Sequence, residues 1–289
     1  MTALTLRAAS GYVFTNRLHV FLMPVLPTLF WNMALQLPLP PSYYLMTVLT
    51  TAAGYLFNIY TDHAEDEVNY QATYLVFGRG DRWTVPLILA AYIGSDLCAL
   101  VAGWQFLLFN VAQHLLGCLY SAPLHLGRHR VRIKEIPFLK NLYAALFWSF
   151  ALILTPFAYA GRPPTSLGWA IACVCFGMSY FIELSWDLRD VDGDRHAGVR
   201  TVPIVMGLPF TATLLALVHA ATCVVAWWLV AHVYRLPWPY ALAFAVNLPA
   251  GLAWLSWYLH QPEKTLGSHL YVVWLGVLFS AGIALLALA

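Results

Sequence analysis

Long apolar runs, broken by short polar interruptions, recur along the whole chain. Nine of them approach the roughly 17–25 residues that a helix needs to cross a bilayer. They cover about residues 18–36, 43–61, 84–102, 104–122, 141–160, 167–186, 208–233, 238–259 and 268–288. Only Gly103 and its neighbours part the third from the fourth. The polar segments are unequal. Residues 62–83, 121–140 and 187–207 are long and polar, whereas 36–41 and 161–166 are short. No hinge composition or low-complexity linker interrupts the pattern. It predicts an all-α, polytopic integral membrane protein: one domain over residues 1–289, with nine transmembrane helices and function on the side of the long loops.

Composition sharpens this picture. The chain is 61% apolar and 10% charged, against roughly a quarter charged for ordinary soluble domains. Basic residues then orient it. With nine spans, thirteen Lys and Arg, from Arg7 and Arg17 to Lys264, fall on the side of the N-terminus, and only Arg162 and Arg235 fall opposite. The N-terminus and the long loops are therefore expected in the cytoplasm. Residues 2–14 lack a separate apolar core before a small-residue cleavage site, so no cleavable signal is expected. Cys98, Cys118, Cys173, Cys175 and Cys223 all lie in apolar runs and read as small buried hydrophobes. The formal net charge of +2 says little about partners. Membrane lipid is an expected neighbour and nucleic acid is not.

Two acidic stretches stand out against this background. Asn58, Asp62 and Asp66 step by four after the second run; Asp187, Asp190 and Asp194 step by three and four after the sixth. Helical spacing puts each row on one face. Two such rows brought together suit a divalent cation, because hard cations gather several carboxylate oxygens. Mg²⁺ would be held by Asn58, Asp62, Asp66, Asp190 and Asp194, with Asp187 assisting. A ligand sharing metal ions between two acid rows must be strongly anionic, and a diphosphate fits. Mg²⁺ there offsets the charge that grows as the C–O bond breaks. Arg17, Lys134 and Lys140 are candidates to steady the phosphates, and Tyr120 lies beside the central loop. Arg128, Arg130 and Arg132 read instead as anchors of the positive side. Glu183 precedes Asp187 by one turn on the same stripe and is placed in the cavity as a substrate-binding acid. Asp96 lies alone in the third run; an intramembrane carboxyl points to function by default. Aromatic residues make up 15% of the chain. Most belong to the interfacial belt of Trp and Tyr, and a few are left to line a cavity where π faces steady a cation.

These motifs resemble the UbiA superfamily of intramembrane prenyltransferases. The family's first motif, N-D-x-x-D-x-x-x-D, matches Asn58, Asp62 and Asp66. Its second, D-x-x-D-x-x-x-D, matches Asp187, Asp190 and Asp194. The segments 186–203 and Tyr120-Ser-Ala-Pro123, followed by Lys134, Pro137, Lys140 and Asn141, extend the likeness. The resemblance implies a ring of helices around a lipid-open cavity, two Mg²⁺ ions and an isoprenoid diphosphate donor. It also implies an aromatic or lipid acceptor attacking an allylic cation. Three positions depart from the pattern. Ile59 replaces the Asp that commonly follows Asn, Leu18 stands where many relatives have proline, and Tyr70-Gln-Ala-Thr-Tyr74 occupies the place of an Arg-Pro-x-Arg-Pro run. These leave a terpene cyclase on the same scaffold as an alternative, in which the cation is attacked by its own chain and no acceptor is needed. A transporter with intramembrane acids fits less well, since the acids sit at a rim rather than at the bilayer midplane.

Overall fold

The computed structural model describes Val13, residues 16–62, Val68 and residues 76–78, 80–122, 124–126, 129–261 and 264–288. Helices dominate them. In chain order they are α1 (Leu18–Leu22), α2 (Val25–Leu35), α3 (Pro41–Thr61), α4 (Thr84–Leu100), α5 (Trp104–Ser121), α6 (Leu139–Ser149), α7 (Thr155–Tyr159), α8 (Ser166–Arg189), α9 (Val191–His196), α10 (Val202–Met206), α11 (Leu208–Trp228), α12 (Trp238–Leu259) and α13 (Lys264–Leu288). Each of the nine apolar runs falls on a helix or a pair of consecutive helices. The short antiparallel ribbon of β1 (Leu124–Leu126) and β2 (His129–Val131) lies in the central loop, outside the all-helical expectation.

Local chemistry explains several boundaries. Pro41 opens α3 at a position where its missing N–H is not needed. The Thr165 hydroxyl accepts from the Gly168 N–H at 3.1 Å and caps α8. Between α6 and α7 the chain makes a π-helical turn over Phe150–Leu154, just before Pro156. Gly207, at φ 80°, takes a left-handed conformation that separates α10 from α11.

The six helical segments Leu18–Leu35, Leu139–Tyr159, Ser166–Arg189, Leu208–Val233, Trp238–Leu259 and Gly267–Leu288 are long and apolar enough to cross a membrane. The α4 helix is apolar but shorter. In α3 and α5 the shortfall is polar content: Thr47, Thr50, Thr51 and Asn58 in the first, Asn110, Gln113, His114 and Ser121 in the second. All eight line an internal chamber, while Leu89, Ile93 and Leu97 of α4 and Leu108 and Leu115 of α5 are 56–67% exposed. Polar groups inside and apolar groups outside are what a lipid solvent demands. A second concentration of buried apolar residues, around Phe30, Trp31, Phe181, Tyr240 and Phe244, joins α2, α8, α12 and α13.

Candidate active site

The chamber encloses about 1620 Å³, counting the space at its open mouth. Asn58, Asp62, Arg17, Tyr120, Lys134, Lys140, Glu183, Asp187, Asp190 and Asp194 all line it, as do Ser121 and Arg189. The described members of both acid rows and the basic and aromatic candidates beside them are thus brought to one cavity, whereas Asp96 does not line it. Asp66 lies outside the described residues.

The first acid row sits where α3 ends. Asp62 terminates the helix, its N–H donating to the Asn58 carbonyl at 2.9 Å. The Ser121 hydroxyl, on the last turn of α5, donates to Asn58 Oδ1 at 2.9 Å. Lys134 pairs directly with Asp62 Oδ1, and Arg132 approaches the same oxygen at 3.6 Å. Arg132 also meets Glu135 at 2.6 Å. Its sequence reading as a plain surface anchor is therefore corrected: the central loop folds back over the chamber and carries the guanidinium to an acid that lies 70 positions earlier in the chain.

The second row is less regular than its spacing suggests. The α8 helix stops at Arg189, Asp190 takes φ −93° and ψ 7°, and the six-residue α9 carries Asp194. The three acids therefore do not share one continuous helix face, yet all three line the chamber. Asp187, 1% exposed, accepts from Lys140 at 2.7 Å and from the Asn141 amide at 2.9 Å. Lys140 also lies 3.8 Å from Asp194. Arg189 grips Asp190 through two bonds, 2.6 and 2.7 Å long. Burial pushes the Asp190 carboxyl up, but Arg189, with Lys140 and Arg17 behind it, holds it below the usual carboxylate range. Tyr120 stands between the rows, within electrostatic range of Asp62 on one side and of Lys140, Glu183 and Asp187 on the other. Arg17 holds an uncommon left-handed backbone, φ 56°, at the start of α1.

In this arrangement Lys134 and Lys140 sit on carboxylates. Buried charge needs such partners, since an unpaired carboxylate in a low-dielectric wall is costly. Among the described residues no three of His, Cys, Asp or Glu converge tightly enough to hold a metal. The donors nonetheless suit a hard cation: every side-chain ligand offered by the two rows is an oxygen. Mg²⁺ commonly takes only one or two carboxylates and completes its shell with water and phosphate.

Deeper in the chamber is a polar group of which the sequence reading had only Asp96. The Asn110 amide donates to Asp96 at 2.9 Å and to Ser95 at 3.1 Å. His114 Nδ1 lies 3.5 Å from Asp96, and its Nε2 faces Asn110, Thr50 and Ser95 at 3.2–3.4 Å. The chamber-facing spacing of residues 110, 113, 114, 117, 120 and 121 in α5 was the available signal. It was masked because their polar residues lowered the run's hydropathy without forming a charged motif.

A model of the UbiA prenyltransferase family matches residues 21–276. The chain belongs to the UbiA prenyltransferase family. It is an integral membrane enzyme of the prenyl-transferring class. Among curated relatives, digeranylgeranylglyceryl phosphate synthase of Methanoregula boonei is 28% identical over 247 residues, covering 82% of this chain and 71% of the relative. The Pyrococcus horikoshii enzyme of the same name is 26% identical over 166 residues, covering 57% and 55%. Two solved UbiA homologues share the fold. The one from Archaeoglobus fulgidus, bound to DMAPP and Mg²⁺, superposes with a TM-score of 0.69 at 16% identity, over 95% of this chain and 96% of that one. The one from Aeropyrum pernix gives 0.68 at 15% identity, over 92% and 97%. At such identities these two speak to the fold alone. UbiA membership accounts for an all-helical chain whose polar faces line a chamber.

Proposed function

We propose that this UbiA protein moves a prenyl group from an isoprenoid diphosphate to the hydroxyl of a prenylated glyceryl phosphate lipid, with Mg²⁺ and at the cytoplasmic rim. The observation that carries the reading is the chamber's polarity: both acid rows and Lys134, Lys140 and Arg17 gather at one part of its wall, and the rest is largely apolar and aromatic. The relatives' name favours a glyceryl phosphate over an aromatic acceptor.

Asp62 and Asn58 on one side, and Asp187, Asp190 and Asp194 on the other, would hold the metal, with Asp66 as a further ligand. When bound, Mg²⁺ supplies positive charge that binds the diphosphate and stabilises it as it leaves. The chain's own residues do the rest. With Mg²⁺ held by the acids, Lys134 and Lys140, which pair with Asp62 and Asp187, would be placed to bind phosphate oxygens. Arg17 adds a third cation at the same rim. Tyr120, Tyr55 and Trp148 present rings near the scissile bond, where π faces steady an allylic cation. The apolar walls exclude the water that would otherwise capture that cation.

The test is incubation of the purified protein with geranylgeranyl diphosphate, Mg²⁺ and geranylgeranylglyceryl phosphate, followed by mass spectrometry. A diether product and its loss on chelation are expected. A cyclic hydrocarbon formed without acceptor would replace the transferase reading with the cyclase one. Diphosphate release that persists in Asp62→Ala and Asp190→Ala would overturn the assignment of the acids.

A further inference from the structure

The acid rim accounts for the diphosphate, and the aromatic and aliphatic walls account for a hydrocarbon chain. Neither accounts for the group on α3, α4 and α5. Thr50, Asn110 and His114 line the chamber, and Ser95 backs them. Asn110 and Ser95 are 0% exposed and His114 is 8% exposed. Thr50 and Ser95 share a 2.6 Å hydrogen bond. Gln113, also in the wall, donates to Thr155 at 2.7 Å. In contrast to these satisfied groups, Asn110 Oδ1 is buried with no donor among the described residues. Leaving a buried acceptor unmet costs about 1–3 kcal/mol, and a prenyl chain cannot meet it.

His114 is oriented rather than merely buried. Its Nδ1 points at Asp96, which lies behind it and outside the chamber lining, so its Nε2 is the nitrogen presented with Asn110 and Thr50. A carboxylate at Nδ1 favours the tautomer whose Nε2 carries the lone pair. The cluster thus leaves one acceptor unmet, Asn110 Oδ1, beside a His114 Nε2 already met by the Asn110 amide nitrogen at 3.2 Å and Thr50 at 3.3 Å, in a wall that otherwise suits hydrocarbon. Along α5 it begins two turns, about 10 Å at 1.5 Å per residue, from Ser121 at the acid rim.

We propose that Thr50, Asn110 and His114 form a second ligand subsite, taking a hydroxyl-bearing group of the acceptor while the acid rim takes the diphosphate of the donor. Asp96 is the positioning residue that sets the His114 ring. The hydroxyl donates to Asn110 Oδ1 beside the His114 ring, and the donor's hydrocarbon runs along Tyr143, Phe147 and Trp148, which also line the chamber. The chamber is then divided by chemistry rather than by a partition. This rests on the transferase reading above, because a cyclase has no acceptor to hold.

The test compares the binding of geranylgeranylglyceryl phosphate and of its analogue lacking the free hydroxyl, the latter as a competitive inhibitor, on the full-length protein in lipid nanodiscs. Wild-type protein should bind the hydroxyl form at least about tenfold more tightly, because a site built around a hydroxyl leaves its own polar groups unmet by the deoxy analogue. In Asn110→Leu and His114→Leu this preference should collapse to within about twofold, while the affinity for geranylgeranyl diphosphate stays within about twofold. His114→Gln, which keeps a hydrogen-bonding end, should restore part of the preference. Asp96→Asn should raise the acceptor KM with little change in donor affinity. If wild-type protein transfers prenyl groups but shows no preference, the subsite is wrong and the transferase reading stands. If wild-type protein performs no transfer to the hydroxyl form, the transferase reading fails first. Leucine variants that keep the full preference, or that lose donor affinity in equal measure, overturn the subsite. Should either variant fail to fold, the wild-type comparison of the two lipids still decides.

Discussion

Two buried polar networks lie among the helices of this protein, and they are built on different logic. One joins α11, α12 and α13. His219 Nε2 lies 3.1 Å and 3.3 Å from the carbonyls of Asn247 and Leu248, the Asn247 amide meets Tyr271 at 3.2 Å, and the Trp274 indole donates to Asn247 Oδ1 at 3.0 Å. None of these five residues lines the chamber. The other is the group on α3–α5, of which Thr50, Asn110 and His114 line the chamber and whose Asn110 Oδ1 has no donor among the described residues. Polar groups in a membrane interior must be satisfied by the protein itself or by a ligand. The first network is closed and does the former. It serves packing: a Cβ on Gly251 would fall 2.2 Å from His219 Nε2, so the two helices meet at the imidazole. The second is open, and openness beside a cavity is what separates a site from a strut. The acid rim is open in another sense, its carboxylates being satisfied by cations that can move.

The contrast can be broken in four ways, from the largest effect to the smallest. Replacing Asp62 or Asp190 by Ala should lower turnover at least about a hundredfold, the scale set by removing one stabiliser of developing charge. A radiometric or coupled assay of diphosphate release checks it, and unchanged melting would confirm that the loss is chemical. Asn110→Leu should raise the acceptor KM about tenfold, measured by product formation at saturating donor. Thermal unfolding of that variant should fall only modestly, since the loss of the amide's bonds to Asp96 and Ser95 is partly offset by removal of an unmet polar atom. In the closed network the effect falls on stability alone. His219→Leu strands two carbonyls and should cost about 1–3 kcal/mol of stability, read as a fall in Tm in detergent, with acceptor KM unmoved. Trp274→Phe removes one hydrogen bond and should cost about 0.6 kcal/mol, the average for such bonds in membrane helices. A His219 variant that altered acceptor discrimination, or an Asn110 variant that only lowered Tm, would erase the distinction.

Nine apolar runs, two acid rows and a basic central loop were legible in the chain because each is a local pattern. Length and hydropathy mark a span without reference to neighbours, and carboxylates four apart announce a shared face. Less of the site's inner arrangement was legible. Helical spacing continued the second row straight through Asp190, where the backbone in fact leaves the helix and restarts. Arg132 looked like an anchor because nothing in its own segment shows that the central loop folds back over Asp62. His114 and Asn110 give no signal in the sequence because neutral polar residues inside an apolar run carry no motif; only Asp96, being charged, stands out there.

By itself, then, the sequence determined that the chain is a helical membrane protein with two acid rows at the ends of its second and sixth runs, since those properties follow from composition and periodicity along one dimension. Tertiary structure alone decided which groups meet. It put Lys134 on Asp62 and Lys140 on Asp187, and it turned the polar faces of α3 and α5 toward one chamber. It also made one buried network closed and the other open. Such pairings depend on helix rotation and loop return, and burial in a medium without water makes the energy of each polar group hang on what lies across the gap rather than on its neighbours in the chain.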